Sequence, residues 1–450
     1  MTTARQIGPG GNADPWAPDW SDTSYWLDGM SAPEVPQGSL PPEVDVVVIG
    51  SGYTGLNAAI ETARGGRSTL VLEAGAPGMG CSTRNGGQIS TSIKPTLSKL
   101  AARHGQARAE AIRAEGRAAL AWIEERIRTE AIDCDFRRAG RFHAAHTPAA
   151  YEGLARDAEV LRRTEGIEVE MVPKAEQRRE LGTDAYHGAA LFAQHGALHP
   201  AKYLHGLLRT AMEAGAQVMG HTPAEAISSG QGGHLVSTPR GTVRARDVIV
   251  ATNGYTTGTT PWQQRRVIPI GSYVIATEPL EKDLVDRLFP TDRIASDTCK
   301  VVYYYRASPD RTRILFGGRV SAGETDTTIS GPRLHHDMCN IFPELRGTRI
   351  SHSWMGTVAY TFDELAHCGT HDGVHYAMGY CGSGVSMASY LGMRMGQKVL
   401  GLAEGRTAFD DLPFPTRPFY TGRPWFLPAA VAWYRWRDAR QRHQAQALAG

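Results

Sequence analysis

The stretch Val44-Asp45-Val46-Val47-Val48-Ile49-Gly50-Ser51-Gly52-Tyr53-Thr54-Gly55 decides the fold. Its first half is almost purely β-branched, which suits a strand buried on both faces of a parallel sheet. The run stops at Gly50, and Leu56 to Arg64 then has helical spacing and good helix formers. Ser68-Thr69-Leu70-Val71-Leu72 reads as a second strand, so residues 44–73 form a βαβ unit. Between strand and helix lies a GxGxxG. Gly50 permits the tight turn, Gly52 lets the backbone approach a pyrophosphate, and Gly55 lets helix and strand pack closely. Tyr53 and Thr54 open the helix, whose free N–H groups and dipole favour phosphate charge. Glu73 closes the second strand, where a carboxylate accepts from ribose hydroxyls. An acid there favours a free ribose 2′-OH, hence FAD or NAD over NADP, and the glycines alone do not separate those two.

Outward from this unit the chain reads as an ordinary globular enzyme. It has 450 residues, 41% hydrophobic and 21% charged, enough for about two or three domains. Net charge is +2, with 48 basic against 46 acidic side chains, which lacks the excess a duplex-binding protein uses to neutralise phosphates. The six cysteines (Cys81, Cys134, Cys299, Cys339, Cys368, Cys381) are scattered without metal-ligand spacing, so no metal site is expected and reduced thiols of a cytoplasmic protein are. Met1 to Pro42 shows no apolar leader, and no run approaches the ~20 apolar residues of a spanning helix.

Trp16, Trp20 and Tyr25-Trp26-Leu27 give the first 42 residues aromatic anchors, predicting an arm packed onto the body. Residues 97–130 form one amphipathic helical region, 135–146 a turn and strand, 148–165 a helix, and Pro200 to Ala214 a helix ending at Gly215. Asp247 to Thr252 is a further buried strand, and strand-like runs follow at 266–277, 300–306 and 313–320. Helices around a parallel core plus a later strand-rich block indicate an α/β protein: a Rossmann-like domain with an inserted α+β domain on an antiparallel or mixed sheet.

Gly80-Cys81-Ser82-Thr83-Arg84-Asn85-Gly86-Gly87-Gln88 follows Glu73-Ala74-Gly75 at short spacing. With Leu198-His199-Pro200-Ala201-Lys202-Tyr203, Val248 to Tyr255, Leu315-Phe316-Gly317-Gly318-Arg319 and Gly379 to Val385, it resembles the D-amino-acid-oxidase superfamily of FAD-dependent amine oxidoreductases. The resemblance is to the gamma-glutamylputrescine oxidase branch, with glycine and sarcosine oxidases as cousins, and it spans residues 44 to 405. It implies an FAD domain from residues 43–99, 195–260 and 350–410, a substrate domain from 100–194 and 261–349, and a tail at 411–450. By matching motif, Gly50, Gly52, Gly55, Glu73 and Ala74 would hold the pyrophosphate and adenosine end, and Val218 the adenine. Cys81, Ser82, Arg84, Asn85, Gly86, Gly87 and Gln88 would line the flavin, as would Ala251, Thr252 and Gly254. Gly382-Ser383-Gly384-Val385 would aim a helix N-terminus at the flavin N1/C2=O edge, where reduction places negative charge.

Relatives that attach flavin covalently carry His-Ser-Gly or a late Cys; here Arg84-Asn85-Gly86 and Ser353-Trp354-Met355-Gly356 stand instead, predicting non-covalent FAD. The Arg-Pro with which glycine-oxidase-like cousins clamp a carboxylate is replaced by Thr357-Val358, which favours an amine or larger amino compound over a plain α-amino acid. The expected reaction is hydride transfer from the amine α-carbon to flavin N5, then hydrolysis of the imine, with oxygen reduced to hydrogen peroxide. Alternatives are a dehydrogenase serving a membrane or protein acceptor and a flavin-dependent RNA-modifying enzyme.

Strand alternation puts Tyr304 and Arg306 on one face, opposite Tyr303 and Tyr305; one pair faces substrate, or all pack a sheet. Arg319 is a further pocket candidate. His199 fixes a turn or caps a helix rather than acting as a base, and either Lys94 or Lys300 could assist oxygen. Trp425, Trp433 and Trp436 among Arg435, Arg437 and Arg440 mark a helix docked on the body or a dimer interface, or less favourably a membrane surface.

Overall fold

The computed structural model describes residues 14–31, 33–36, 38–230, 232–319 and 325–447. The first thirteen residues of the expected arm and the last three of the tail lie outside these.

Two sheets organise the chain. The first has the order Ala226–Gly230, Gly233–Thr238, Gly241–Val250, Glu43–Ile49, Thr69–Leu72, Gln217–Met219. Val374–Met378 pairs with the far half of Gly241–Val250 and with His367–His371. Glu43–Ile49 is parallel to both of its neighbours, Val47 facing Leu70 on one side and Val248 on the other. Val46, Val47 and Val48 are fully buried, which is what the β-branched run requires. The helix Tyr53–Arg64 covers this strand and packs on Gly384–Val399 and Pro200–Glu213.

The second sheet has nine strands, in the order Trp16–Ser21, Ile350–Thr361, Val267–Thr277, Ile314–Gly318, Tyr304–Ala307, Ile294–Asp297, Arg141–Ala144, Ala189–Phe192, Glu170–Val172. One of its faces carries a core containing Phe289, Tyr305, Phe316, Phe342 and the helix Thr327–Ile341. The other looks toward the first sheet.

Several elements depart from the sequence reading. Gly105, at φ +81°, splits the region 97–130 into Leu97–His104 and Gln106–Thr129. Ile350–Thr361, expected in the FAD segment, belongs to the second sheet because it pairs along its whole length with Val267–Thr277. Trp16–Ser21 does pack onto the body, but as an edge strand of that sheet, pairing with Ile350–Thr361. Thr327–Ile341 was not anticipated; its Pro332 lies inside the helix and obscures the periodicity. No helix of the described residues is long and apolar enough to cross a membrane.

Candidate active site

The glycine turn is sterically closed. Gly50 has φ +105°, a conformation that L side chains avoid. A Cβ on Gly55 would overlap the Gly50 carbonyl oxygen, and one on Gly52 would come within 3.0 Å of Ser82 Oγ. Glu73 sits at the mouth of the turn: its Oε2 accepts from Ser51 N (2.9 Å) and Ser51 Oγ (2.7 Å), and its Oε1 from Gly75 N at 3.2 Å. A carboxylate has about four acceptor sites, so capacity remains for sugar hydroxyls. Val218 pairs with Val71 in the adjacent strand, and Glu73 N donates to Met219 O. Tyr53 and Thr54 turn their side chains inward. Tyr53 is 5.1 Å from the Tyr203 ring centroid and donates to Pro200 O, while Thr54 Oγ1 meets Tyr380 OH at 2.6 Å. What these two can offer a ligand is therefore main chain.

The second loop, residues 81–87, is clamped from outside. Trp26 Nε1 donates to Asn85 O (2.7 Å), Trp354 Nε1 to Arg84 O (2.9 Å), and Ser24 Oγ to Thr83 O (2.8 Å). Asn85 is used within the loop, donating to Cys81 O and Ser82 O and accepting from Gly87 N. Ser82 Oγ accepts from Tyr53 N at 3.1 Å, tying the loop to the glycine turn. Gln88 turns away and donates to Ala295 O and Tyr305 O. Arg84 donates to Met355 O, and its Nε has no partner among the described residues. Burial pushes the Cys81 thiol up to about 12 and the Cys381 thiol to about 11, so both stay protonated.

The remaining expected positions converge on the same place. Ala251 N donates to Ile49 O, and the Ala251 carbonyl lies beside Gly50. Thr252 Oγ1 meets Thr256 Oγ1, and Gly254 packs on the Thr357 carbonyl. Cys381 (φ +52°) and Gly382 (φ +97°) make the turn into Gly384–Val399, where Ser383 Oγ donates to Ser92 O at 2.5 Å. The first turn of that helix, with Val385, brings N–H groups without intrahelical partners to the cleft. A hollow beside it is lined by Ser92, Ile93, Lys94, Tyr380 and Ser383. Glycines that approach without side chains, an acid at the ribose position, and a helix N-terminus for a flavin edge fit FAD.

Above the loop, register fixes which side chains look down. Tyr304 pairs with Ser296 and Gly317, and Ser296 with His143, so Tyr304, Ser296 and His143 share one face. Tyr304 lies over Gly86, where a Cβ would be 2.8 Å from its ring, and its hydroxyl meets Ser272 Oγ at 2.8 Å. Tyr303 and Tyr305 point the other way, to Asp337 and to Tyr186. Arg306 shares the Tyr304 face but does not reach a substrate position. It is 2% exposed and donates to Leu198 O (2.9 Å), Gly87 O (3.3 Å) and Ala307 O (3.1 Å), bracing the second loop, and burial lowers its pKa to about 9. The expectation of a catalytic Arg306 becomes a positioning one, because Nε and Nη1 are spent on main-chain carbonyls; Nη2 is buried without a partner among the described residues. Arg319 is half-buried near Tyr273, Tyr360 and Arg435.

Lys94 Nζ stands 5.5 Å from the Tyr360 ring centroid, whereas Lys300 is exposed and its main chain donates to Asp438, which separates the two lysines. His199 caps the helix Pro200–Glu213, its Nδ1 accepting from Lys202 N, and burial lowers its pKa to about 4. Arg141, His143, Tyr360 and Ser272 were missed as site candidates. Alternation within Gly140-Arg141-Phe142-His143 was the available signal, since Phe142 is buried in the far core. No group of three or more His, Cys, Asp or Glu suited to a metal occurs among the described residues.

The tail helix Leu427–Ala447 docks through Asp438, which accepts from Lys300 N and Val301 N. Its Trp433 and Trp436 are stacked and exposed.

Comparison with known proteins agrees with this arrangement. Residues 45–398 match the family DAO, FAD dependent oxidoreductase. The chain is 32% identical over 408 residues to gamma-glutamylputrescine oxidoreductase of Escherichia coli, covering 88% of this chain and 92% of that one. It is 28% identical over 407 residues to a probable oxidoreductase OrdL of Haemophilus influenzae, covering 89% and 93%. Glycine oxidase from Geobacillus kaustophilus superposes with a TM-score of 0.68 at 22% identity, over 84% of this chain and 99% of that one. With this match over residues 45–398 and a 32% identical relative over most of both chains, the chain belongs to the DAO family of FAD dependent oxidoreductases.

Proposed function

We propose that this FAD-dependent oxidoreductase oxidises a small amine or amino compound, with FAD bound non-covalently and oxygen as the final electron acceptor. FAD, when bound, supplies the two-electron acceptor for the substrate carbon–nitrogen bond. The observation that carries the reading is the Tyr304 ring, packed on Gly86 of the second loop. A ring lying against a glycine, with its hydroxyl tied to Ser272, leaves a flat aromatic wall for a neutral amine.

Burial holds the Tyr304 phenol well above its usual range, so it serves as a hydrogen-bond donor and orienting wall rather than as a base. Gly50, Gly52, Gly55 and Glu73 are assigned to the pyrophosphate and ribose. The first turn of Gly384–Val399 is assigned to negative charge that develops at the flavin edge. Lys94 is the cation assigned to oxygen. The imine formed from the amine leaves to water, which adds across the C=N bond and releases a carbonyl compound and an amine or ammonia; the two electrons pass to oxygen as hydrogen peroxide. The name of the Escherichia coli relative, gamma-glutamylputrescine oxidoreductase, supports an amine substrate. The six free cysteines support a reducing, cytoplasmic location.

The test is anaerobic mixing of the purified yellow enzyme with polyamines, γ-glutamyl-amines, N-methyl amino acids and glycine. Bleaching by an amine, followed by peroxide on admitting air, is expected. Absence of bleaching by every amine overturns the reading. Bleaching without peroxide transfers the enzyme to the dehydrogenases, a reading that the exposed Trp425, Trp433 and Trp436 favour as an acceptor-docking surface.

A further inference from the structure

Arg141 is a cation without a counter-ion. It lies on the inner face of the strand Arg141–Ala144, with Nη2 donating to Ser92 Oγ at 3.1 Å and Cζ 5.2 Å from the Phe192 ring centroid. Its Nε is buried with no hydrogen-bond partner, and no Asp or Glu forms an ion pair with it among the described residues. Desolvation alone lowers its pKa to about 10, and nothing acidic offsets that. A guanidinium so enclosed normally has a carboxylate beside it, because burying an unpaired charge is expensive.

The surroundings sharpen this. Lys94 and Arg141 both act on His143, which burial and these two cations hold neutral, its pKa lowered to about 3. His195, stacked on Phe192, is likewise held neutral by burial, with Arg141 next in effect. The acid that bears on Lys94 is Glu364, and it does not act on Arg141. Arg113, Arg126 and Arg293 each have a glutamate within ion-pair reach, and Arg306, which lacks one, has three carbonyls instead, whereas among the described residues the Arg141 guanidinium has one hydrogen bond, to Ser92.

We infer that Arg141 is the receptor for a carboxylate on the substrate, set apart from the reacting amine. The inference rests on the amine-oxidation reading and narrows its substrate class. The strands of Tyr304 and Arg141 are two places apart in the sheet, with Ile294–Asp297 between them. At ~4.8 Å per strand this separates the two backbones by roughly 10 Å, with Arg141 two residues along its strand from His143, the position in line with Tyr304. A glycine-sized substrate cannot span that distance, whereas an extended amino compound with a carboxylate at its far end can. Arg141 supplies two donors in a planar fork, the geometry a carboxylate accepts.

The experiment compares matched pairs on the FAD-loaded enzyme: hexylamine against 6-aminohexanoate, and putrescine against γ-glutamylputrescine. The wild-type protein should prefer the carboxylated member by ~10–100-fold in the bleaching efficiency kcat/KM, the range of one charge-assisted contact. In Arg141→Met that preference should collapse to a few-fold through KM, and Arg141→Lys should restore part of it. A second arm uses adipate, which cannot react, titrated into the holoenzyme by calorimetry and by its shift of the flavin spectrum. Arg141→Met should bind it at least ~10-fold more weakly than the wild type. Equal adipate binding by wild type and variant overturns the inference however the amines behave, as does loss of FAD from Arg141→Met, which would place the arginine on the cofactor. If no amine bleaches the flavin yet adipate binding depends on Arg141, the amine reading fails and the anion site stands.

Discussion

The glycine turn at residues 50–55 and the inner face of the nine-stranded sheet lie on opposite sides of one cleft, and they are built by opposite means. The turn is almost all backbone: Gly55 has no room for a Cβ, and Gly50 has a dihedral that side chains avoid. The sheet face is all side chain, with Tyr304, His143, Arg141 and Ser272 contributed by strands far apart in sequence. On the proposed function the first region holds the cofactor with local geometry. On the same reading the second selects the substrate with long-range geometry, and it tolerates the uncompensated Arg141.

The sharpest way to break this comparison is Gly55→Val, which drives side-chain atoms into the Gly50 carbonyl. We expect protein that is insoluble or purifies without the flavin absorbance band, since overpacking at a site with no free volume costs several kcal/mol. Trp26→Ala comes next. It empties a fully buried site and frees the Asn85 carbonyl, so unfolding free energy should fall by about 3–5 kcal/mol in denaturant titration, with weaker FAD retention. Glu73→Gln keeps the shape but loses charge from the three hydrogen bonds it accepts; FAD affinity measured by fluorescence quenching should drop ~10–100-fold while the fold survives.

On the sheet side the effects are smaller. His143 is held neutral in the folded protein, its pKa lowered to about 3, while in the unfolded chain it protonates near 6.5. Its contribution is therefore intact above pH 6.5 and declines as pH falls toward 3. Asp297, whose carboxyl burial raises to about 7, titrates in the opposite sense over much of that range, so the difference between proteins is the readable quantity. His143→Asn should lose less stability than wild type between pH 7 and pH 5, by at most about 2 kcal/mol. Tyr304→Phe, which removes one neutral hydrogen bond to Ser272, should lower kcat/KM only a few-fold and leave FAD binding intact. A larger loss than that of Glu73→Gln would reverse the division of labour drawn above.

What was legible in the sequence follows the same line. The βαβ unit, the glycine turn and the place of Glu73 depend on neighbours within about thirty positions, so periodicity and steric rules reach them. Tyr304 and Arg306 were placed on one face by strand alternation, and the structure keeps that face. Alternation could not say that Arg306 ends in the carbonyls of Leu198 and Gly87, because those partners arrive through the fold. Arg141 stayed hidden for the same reason. A lone arginine before a phenylalanine is unremarkable until its strand is seen between Ile294–Asp297 and Ala189–Phe192, with no acid opposite. The helix Thr327–Ile341 was missed because its inner proline masks its period, and Ile350–Thr361 was misallocated because pairing partners are not written in a strand.

Two indole N–H groups, from Trp26 and Trp354, hold the adjacent carbonyls of Asn85 and Arg84. One indole precedes the loop in the chain and the other follows it by well over two hundred residues. During synthesis the glycine turn leaves the ribosome early, but the second half of its cradle stays without its far clasp until most of the polypeptide has emerged. A chain truncated before residue 354 therefore lacks one of the two clasps and should retain FAD more weakly than the full chain.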